Sequence, residues 1–191
     1  MTGEKAVRFE LGKYELELID ERTYTPRSAD NVRTYARAYD FGAEFRSSSR
    51  HGLILREDGV LHGSCLLSAG GGVSGAHAHS AVIVADACFV AVGDTICSLA
   101  LPSLNLLWQM QVDDATCFGV YFSAKHNCLL SHGELEIARV SLFGKVMWKS
   151  GGEDIFTGGF KVFPDYVEAV DFNQTAYHIE IETGAGRTGA T

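Results

Sequence analysis

Apolar and polar residues alternate along most of this chain, in short runs separated by turns. Tyr14, Leu16 and Leu18 lie on alternate positions, which is the period of a half-buried β-strand. Residues 52–56 and 60–67 form two further runs on either side of a short turn and predict a hairpin. Apolar positions almost never recur at a spacing of three to four residues, so the pattern predicts an all-β fold without helices.

A repeat organises the second half of the chain. Trp108 and Trp148 are 40 residues apart, and so are Gly144 and Gly184. Other pairs keep the same offset: Cys88 and Cys128, Gly93 and Gly133, Asp114 and Asp154, and Gly119 and Gly159. Each repeat contains four short strand patterns. Four-stranded units of about 40 residues are the signature of propeller blades.

The repeated phrase resembles that of quinoprotein-like (PQQ-type) and WD-repeat-like β-propellers over about residues 80–184. Ala138, Gly144 and Trp148 fit the pattern in one copy, and Thr183-Gly184 fits it in another. The resemblance implies blade geometry, with the Trp side chains docking between neighbouring blades. It does not imply the quinone cofactor, because no residues that would bind it can be placed on this chain.

The repeat predicts a small β-propeller-like array of about four antiparallel blades in a single domain, 1–191. The predicted units are a degenerate first blade and three repeat blades: 34–67, 80–112, 118–149 and 157–182. Within an N-terminal region, 5–20, we expect a strand at 14–19 to complete the last blade, and residues 185–191 to form a flexible tail. The alternative is an open half-propeller that pairs with a second chain, so the protein is expected to be a monomer or a homodimer.

Composition narrows the class of partner. The formal net charge is −8, which argues against nucleic acid and anionic membranes as partners. No apolar run approaches the roughly 20 residues of a membrane span. Most of the five Cys residues lie in apolar runs, where a free thiol behaves as a small hydrophobic group. A reducing cytoplasm is the expected location.

The loops that lead from one blade to the next are the candidate binding site, because such loops gather at one end of a propeller channel. The predicted ligand-binding residues on these loops are Asp30, Asp114, Glu153 and Asp154. His77 and His79 would place two imidazoles on one side of an extended segment, where they could bind a divalent metal. Turn formation alone also explains Asp at these positions.

Two functional hypotheses follow. No catalytic constellation is recognisable, so the first is a non-enzymatic module that binds a protein partner, possibly as an inhibitor or immunity protein, with no cofactor. The second is a metal-dependent enzyme or small-ligand-binding protein that uses His77, His79, Asp114 and Asp154 at the channel mouth.

Overall fold

The computed structural model describes residues 6–42 and 47–188. This part of the chain forms 17 strands in four sheets and no helix, which confirms the all-β prediction. Among these residues, therefore, no helix has the length and apolar character that crossing a membrane demands. Residue 5 of the predicted N-terminal region and residues 189–191 of the predicted tail lie outside the described residues.

The first sheet, blade I, has five strands in the order β1-β2-β4-β5-β3. Its strands are β1 (Ala6–Leu11), β2 (Tyr14–Asp20), β3 (Arg37–Asp40), β4 (Ser49–Glu57) and β5 (Val60–Ala69). Strands β4 and β5 form the predicted hairpin. Strand β3 is parallel to β5, whereas the other pairs are antiparallel.

The other three sheets are antiparallel meanders of four strands each, as the repeat predicts. Blade II contains β6 (Ala81–Val84), β7 (Ala87–Val92), β8 (Thr95–Ala100) and β9 (Asn105–Gln111). Blade III contains β10 (Cys117–Ser123), β11 (Cys128–Gly133), β12 (Glu136–Ser141) and β13 (Val146–Gly151). Blade IV contains β14 (Phe160–Val162), β15 (Tyr166–Val170), β16 (Ala176–Glu180) and β17 (Gly186–Thr188).

Three apolar layers join the blades face to face. Because side chains alternate across a strand, β7 sends Val90 toward blade I and Phe89 toward blade III. Leu130 and Val167 belong to the third layer, between blades III and IV. No apolar cluster among the described residues joins blade IV to blade I, so the four blades form an open arc.

The two repeated Trp residues dock each blade on the next, as predicted. Trp108 of blade II donates a hydrogen bond from Nε1 to the Leu142 carbonyl oxygen of blade III (2.9 Å), and its ring covers Gly144. Trp148 makes the same contacts with Ile181 (2.9 Å) and Gly184 of blade IV. Both Gly residues have a positive φ, and a Cβ on either would lie 2.7 Å from the indole. The repeated Trp and Gly therefore work as pairs, which explains why both keep the 40-residue spacing.

Blade I docks on blade II through a tyrosine. The Tyr39 hydroxyl donates to the Leu104 carbonyl oxygen (3.2 Å) and accepts the Leu106 amide (3.3 Å). Leu104 stands 40 residues before Gly144, has a positive φ of 56°, and is fully buried. Its side chain belongs to the apolar layer that Tyr39 packs against.

The predicted closure of the last blade by the N-terminal strand is wrong. Strand β2 pairs with β4 along its whole length, from Tyr14 opposite Glu57 to Asp20 opposite His51. The strand that was expected to complete the last blade therefore belongs to blade I. The fourth strand of blade IV is β17, within the segment predicted as a flexible tail. Strand β17 has only exposed residues, so the sequence carries no apolar signal for it.

The two outward faces of the arc carry polar clusters. On blade I, Tyr35 packs over Gly52 and donates a hydrogen bond to the buried Glu21 carboxylate (2.5 Å). On blade IV, Glu168 lies between Lys161 (3.2 Å) and His178 (3.3 Å). Polar groups on the outer faces are typical of the terminal units of repeat arrays. The choice between monomer and homodimer stays a prediction.

Candidate functional site

The connections of blades II–IV lie at two opposite ends of the arc. Each antiparallel blade sends its strands alternately up and down, so the loops between blades and the turns between the second and third strands share one end. We call this the connection end, formed by 70–80, 93–94, 112–116, 134–135, 152–159 and 171–175. The remaining turns form the turn end: 85–86, 101–104, 124–127, 142–145, 163–165 and 181–185.

Backbone hydrogen bonds link the connection-end segments into one continuous chain. The Gly72 amide donates to the Ala115 carbonyl oxygen (2.8 Å), and the Glu134 amide donates to that of Thr116 (2.7 Å). Further along, the Phe156 amide donates to Glu134 (2.7 Å) and the Phe172 amide to Ile155 (2.8 Å). The loops of three blades are therefore held against one another by their own backbones, and their side chains project from a fixed frame.

The connection end is strongly acidic. Its segments contain no Lys or Arg and seven acidic residues: Asp94, Asp113, Asp114, Glu134, Glu153, Asp154 and Asp171.

Two of these seven carboxylates are buried and hold the frame together. Asp113 accepts the amides of Ala115 (2.7 Å) and Thr116 (3.1 Å) through Oδ1, and two amides of the neighbouring turn, both at 2.9 Å, through Oδ2. Asp171 accepts the Thr175 amide (2.8 Å) and the Tyr177 hydroxyl (3.1 Å). These two residues satisfy backbone donors of turns that would otherwise be unpaired.

The other five carboxylates have no basic partner. None of them makes an ion pair within residues 6–42 and 47–188. Asp114 and Glu153 are exposed, and Asp154 is half-buried, with its carboxylate bonded to the Ile155 amide (2.8 Å) and to Asn173 (2.8 Å). Three carboxylates predicted as ligand-binding residues, Asp114, Glu153 and Asp154, thus lie at the same end of the arc.

Apolar side chains stand among these charges. Val73 is 60 % exposed, Leu135 40 % and Phe172 65 %, and each lies in a different segment of the connection end. A shallow cavity of about 290 Å³ lies beside them, lined by Leu135, Gly152, Glu153, Asp154 and Ile155. Leu135 and Phe172 were not identified from the sequence, because each is a single apolar residue within a turn.

Asp30, the fourth predicted acidic residue, lies apart from this group. It is exposed in the segment that follows β2, where its amide donates to the Ser28 hydroxyl (3.1 Å). That turn belongs to blade I, together with Asn31, whose side-chain amide donates to the Thr25 carbonyl oxygen (2.7 Å).

His77 and His79, the predicted metal ligands, lie with their ring centroids 6.2 Å apart. Nδ1 of His77 accepts the His79 amide (3.2 Å), so its Nε2 carries the proton and donates to the Phe118 carbonyl oxygen (2.7 Å). Both ring nitrogens of His77 are therefore used to hold the loop. The described residues contain no group of three or more His, Cys, Asp and Glu side chains with the arrangement of a metal site.

His79 instead belongs to a row of stacked rings. Its imidazole lies on Tyr121 (4.6 Å between centroids), which contacts Phe160 (4.7 Å). Phe160 in turn stacks on His132 (4.7 Å). His79 is exposed and Tyr121 and Phe160 are half-buried. The sequence analysis missed the last three rings because each occupies an ordinary strand position. Only Phe160 had a positional signal, as the first residue of the strand that follows loop 152–159.

Two buried imidazoles lie beneath this surface. Burial lowers the pKa of His51 to about 4, and burial also lowers the pKa of His132 to about 4. Neither ring nitrogen of His51, nor Nε2 of His132, has a well-aligned hydrogen-bond partner among the described residues. Both histidines are therefore neutral at pH 7.

The five cysteines are buried and unbonded. Burial raises the pKa of the Cys65 thiol to about 12. It also raises the pKa of the other four thiols: Cys88, Cys97, Cys117 and Cys128. A thiol that does not ionise is a poor nucleophile, so these cysteines act as core residues.

A cleft of about 540 Å³ lies on blade IV away from the connection end. Three of its charged groups are paired: Asp165 with Lys125 (2.5 Å), Glu180 with Arg187 (3.1 Å) and His178 with Glu168 (3.3 Å). Because most of its charges are paired, this cleft has less need of a charged ligand than the connection end has.

Solved structures similar to this chain have low sequence identity to it, and two of them, hydrazine synthase and BamB, are β-propellers. They include hydrazine synthase from Kuenenia stuttgartiensis (TM-score 0.58, 8 % identity, 87 % of this chain and 53 % of that one). The computationally designed Ika8 protein has a TM-score of 0.53 and 13 % identity over 74 % of this chain and 45 % of its own. BamB from Moraxella catarrhalis has a TM-score of 0.50 and 15 % identity over 96 % and 65 %. The chain thus spans about half to two thirds of these proteins.

These similarities concern the fold alone, which they show to be propeller-like. No protein-family model matches the chain, and no curated protein matches it in sequence.

Proposed function

We propose that this protein is a non-enzymatic interaction module that binds a basic protein partner through the connection end of blades II–IV. The observation that carries the proposal is the set of five carboxylates that make no ion pair with the described residues, on segments that are hydrogen-bonded into one frame.

Electrostatics favours a positively charged partner. Unneutralised acids on one face produce a negative potential that raises the rate of encounter with a basic surface. The same potential repels the phosphates of nucleic acids and anionic lipids. An inhibitor or immunity protein directed against a basic enzyme is the narrower form of this proposal.

The apolar residues supply the anchors that charge alone does not. Val73, Leu135 and Phe172 are exposed side chains surrounded by polar groups, which is the composition of a docking surface with apolar contacts and a charged rim. The cavity beside Leu135 offers room for one side chain of the partner. Because the loops are already ordered by their hydrogen bonds, binding loses little conformational entropy.

The metal-dependent alternative has less support. Both nitrogens of His77 are engaged in the loop, so a metal would have to displace at least one of these hydrogen bonds. Its test is elemental analysis of the purified protein. Stoichiometric metal that is lost in the His77→Ala/His79→Ala variant would establish that alternative.

The proposed function is tested by selecting random peptides on the immobilised protein and measuring their affinity at increasing salt. We expect the selected peptides to be basic and to bind more weakly at 0.5 M NaCl, because ions screen the attraction (Debye length ~10 Å at 0.1 M). The variant Asp114→Asn/Glu134→Gln/Glu153→Gln should lose binding. The matched control, Asp58→Asn/Asp86→Asn/Glu182→Gln, makes the same charge change away from the connection end and should retain it. Neutral or acidic peptides, or equal losses in both variants, would refute the proposal.

A further inference from the structure

The blade connections bring aromatic rings to the inner side of the connection end. Each loop between blades starts at an outermost strand and finishes at an innermost strand, so its last residues approach the axis of the arc. His79 is the next-to-last residue of loop 70–80, Tyr121 is the fifth residue of β10, which follows loop 112–116, and Phe160 is the first residue of β14, which follows loop 152–159. Loops 112–116 and 152–159 carry their acids before these rings along the chain. The rings therefore lie nearer the axis of the arc than these acids do.

The rings form one stack with an accessible end. His79 lies on Tyr121 at an interplanar angle of 25°, and Phe160 lies on His132 at 14°, with Tyr121 and Phe160 tilted by 41° between them. His132 closes the stack as a buried ring, and His79 is its exposed member. The His79 carbonyl oxygen accepts the Val120 amide (2.8 Å), which fixes the position of the exposed imidazole.

This combination selects a planar cation. The faces of aromatic rings attract cations, and a guanidinium group also stacks flat on a ring, which an ammonium group cannot do. The surrounding carboxylates strengthen the attraction and exclude planar anions such as nucleotides. A neutral aromatic ligand would gain nothing from the acids.

We propose that the His79–Tyr121–Phe160 stack anchors an arginine side chain of the protein partner. The inference rests on the proposed function, because it assigns one residue type of the basic partner to one place on the connection end. Acids provide attraction for any basic segment, whereas the stack provides a preference for arginine over lysine.

The test compares two peptides that differ only in their cations: tetra-arginine and tetra-lysine, each flanked by leucine and labelled for fluorescence anisotropy. The unmodified protein should bind the arginine peptide about threefold more tightly or better, as expected for a cation on an exposed ring. His79→Ala should abolish that preference while the lysine peptide binds as before. His79→Phe, which keeps a ring at this position, should retain the preference.

The two proposals fail in different ways. Equal affinity for both peptides in the unmodified protein, or an arginine preference that survives His79→Ala, would overturn the role of the stack and leave the acidic docking surface standing. If the Asp114→Asn/Glu134→Gln/Glu153→Gln variant still binds both peptides as the unmodified protein does, the docking surface itself would be overturned. Thermal unfolding of each variant identifies any that fails to fold, and His79→Phe then decides the question, since its ring preserves the stack.

Discussion

The two ends of blades II–IV differ in charge although six chain segments form each. The connection-end segments contain seven acids and no Lys or Arg, whereas the turn-end segments contain three acids and two lysines. At the turn end, Asp165 pairs with Lys125, and both docking tryptophans donate to carbonyl oxygens in its turns. The turn end thus contributes to cohesion between blades, and the connection end retains charges that nothing in the described chain neutralises.

This difference in charge separates the two ends by role: contacts between blades lie at the turn end, and the proposed binding surface lies at the connection end. Unpaired carboxylates repel one another, so a surface selected only for stability would pair them. The connection end tolerates this repulsion because Asp113 and Asp171 hold its turns from within. This arrangement predicts that changes inside the frame affect folding and that changes on its surface affect binding.

The largest expected effect is the loss of a docking tryptophan. Trp108→Ala removes the indole that covers Gly144 and its hydrogen bond to Leu142. Because it leaves a cavity between blades II and III, it should lower the free energy of unfolding by about 3–5 kcal/mol. Denaturation in urea measures this. Phe143→Ala, in the same turn at a side chain that is 90 % exposed, is the control and should change stability by less than ~0.5 kcal/mol.

Acid should destabilise the protein through its buried histidines. His51 and His132 have pKa values lowered to about 4, whereas an unfolded histidine has a pKa near 6.5. Between pH 6.5 and 4 the unfolded chain therefore binds more protons than the folded chain does. The free energy of unfolding should be highest above pH 6.5 and should fall as the pH decreases toward 4. Each histidine contributes about 3 kcal/mol to this loss, at ~1.4 kcal/mol per pKa unit.

The variant His132→Phe isolates one of the two histidines. Phenylalanine keeps the stack on Phe160 but cannot take up a proton, so the decline in stability between pH 6.5 and 4 should be about half as steep. Urea denaturation across this pH range makes the measurement. An unchanged pH profile would mean that His132 is protonated as readily in the folded protein as in the unfolded chain.

Asp113 provides the next largest effect. Asp113→Ala leaves four backbone amides without their acceptor, so it should cost about 2–3 kcal/mol even if water reaches some of them. The adjacent Asp114→Ala removes an exposed carboxylate and should change stability by less than ~0.5 kcal/mol. Equal effects for these neighbours, measured by thermal unfolding, would contradict the division between frame and surface.

The parts of the fold that repeat could be predicted from the sequence, and the parts that do not repeat could not. Trp108 and Trp148 have equivalent contacts in blades III and IV, so their spacing gave the blade geometry. Blade I docks through Tyr39, which no periodic pattern identifies. Alternation in β2 predicted a strand but not its partner, because any sheet with an apolar face would accept it.

The candidate site also has a part that could be predicted from the sequence and a part that could not. Topology placed Asp114, Glu153 and Asp154 at one end, because the loops between blades must share that end. The stacking of Tyr121 on His79 depends on how closely loop 70–80 approaches strand β10, and no local sequence pattern records that distance. His77 and His79 have the spacing of metal ligands, yet the folded loop uses the nitrogens of His77 for its own hydrogen bonds.

The smallest expected effect has the opposite sign from the others. Asp114→Asn/Glu153→Gln removes two charges from segments that contain no Lys or Arg, so it should raise the free energy of unfolding slightly, by up to ~0.5 kcal/mol at low salt. The gain should disappear at 0.5 M NaCl, where repulsion is screened. The turn-end double variant Asp86→Asn/Glu182→Gln removes charges from an end that also carries Lys125 and Lys145, and it should gain less. If both pairs gain equally, the connection end carries no excess repulsion, and its acids reflect only the overall charge of −8.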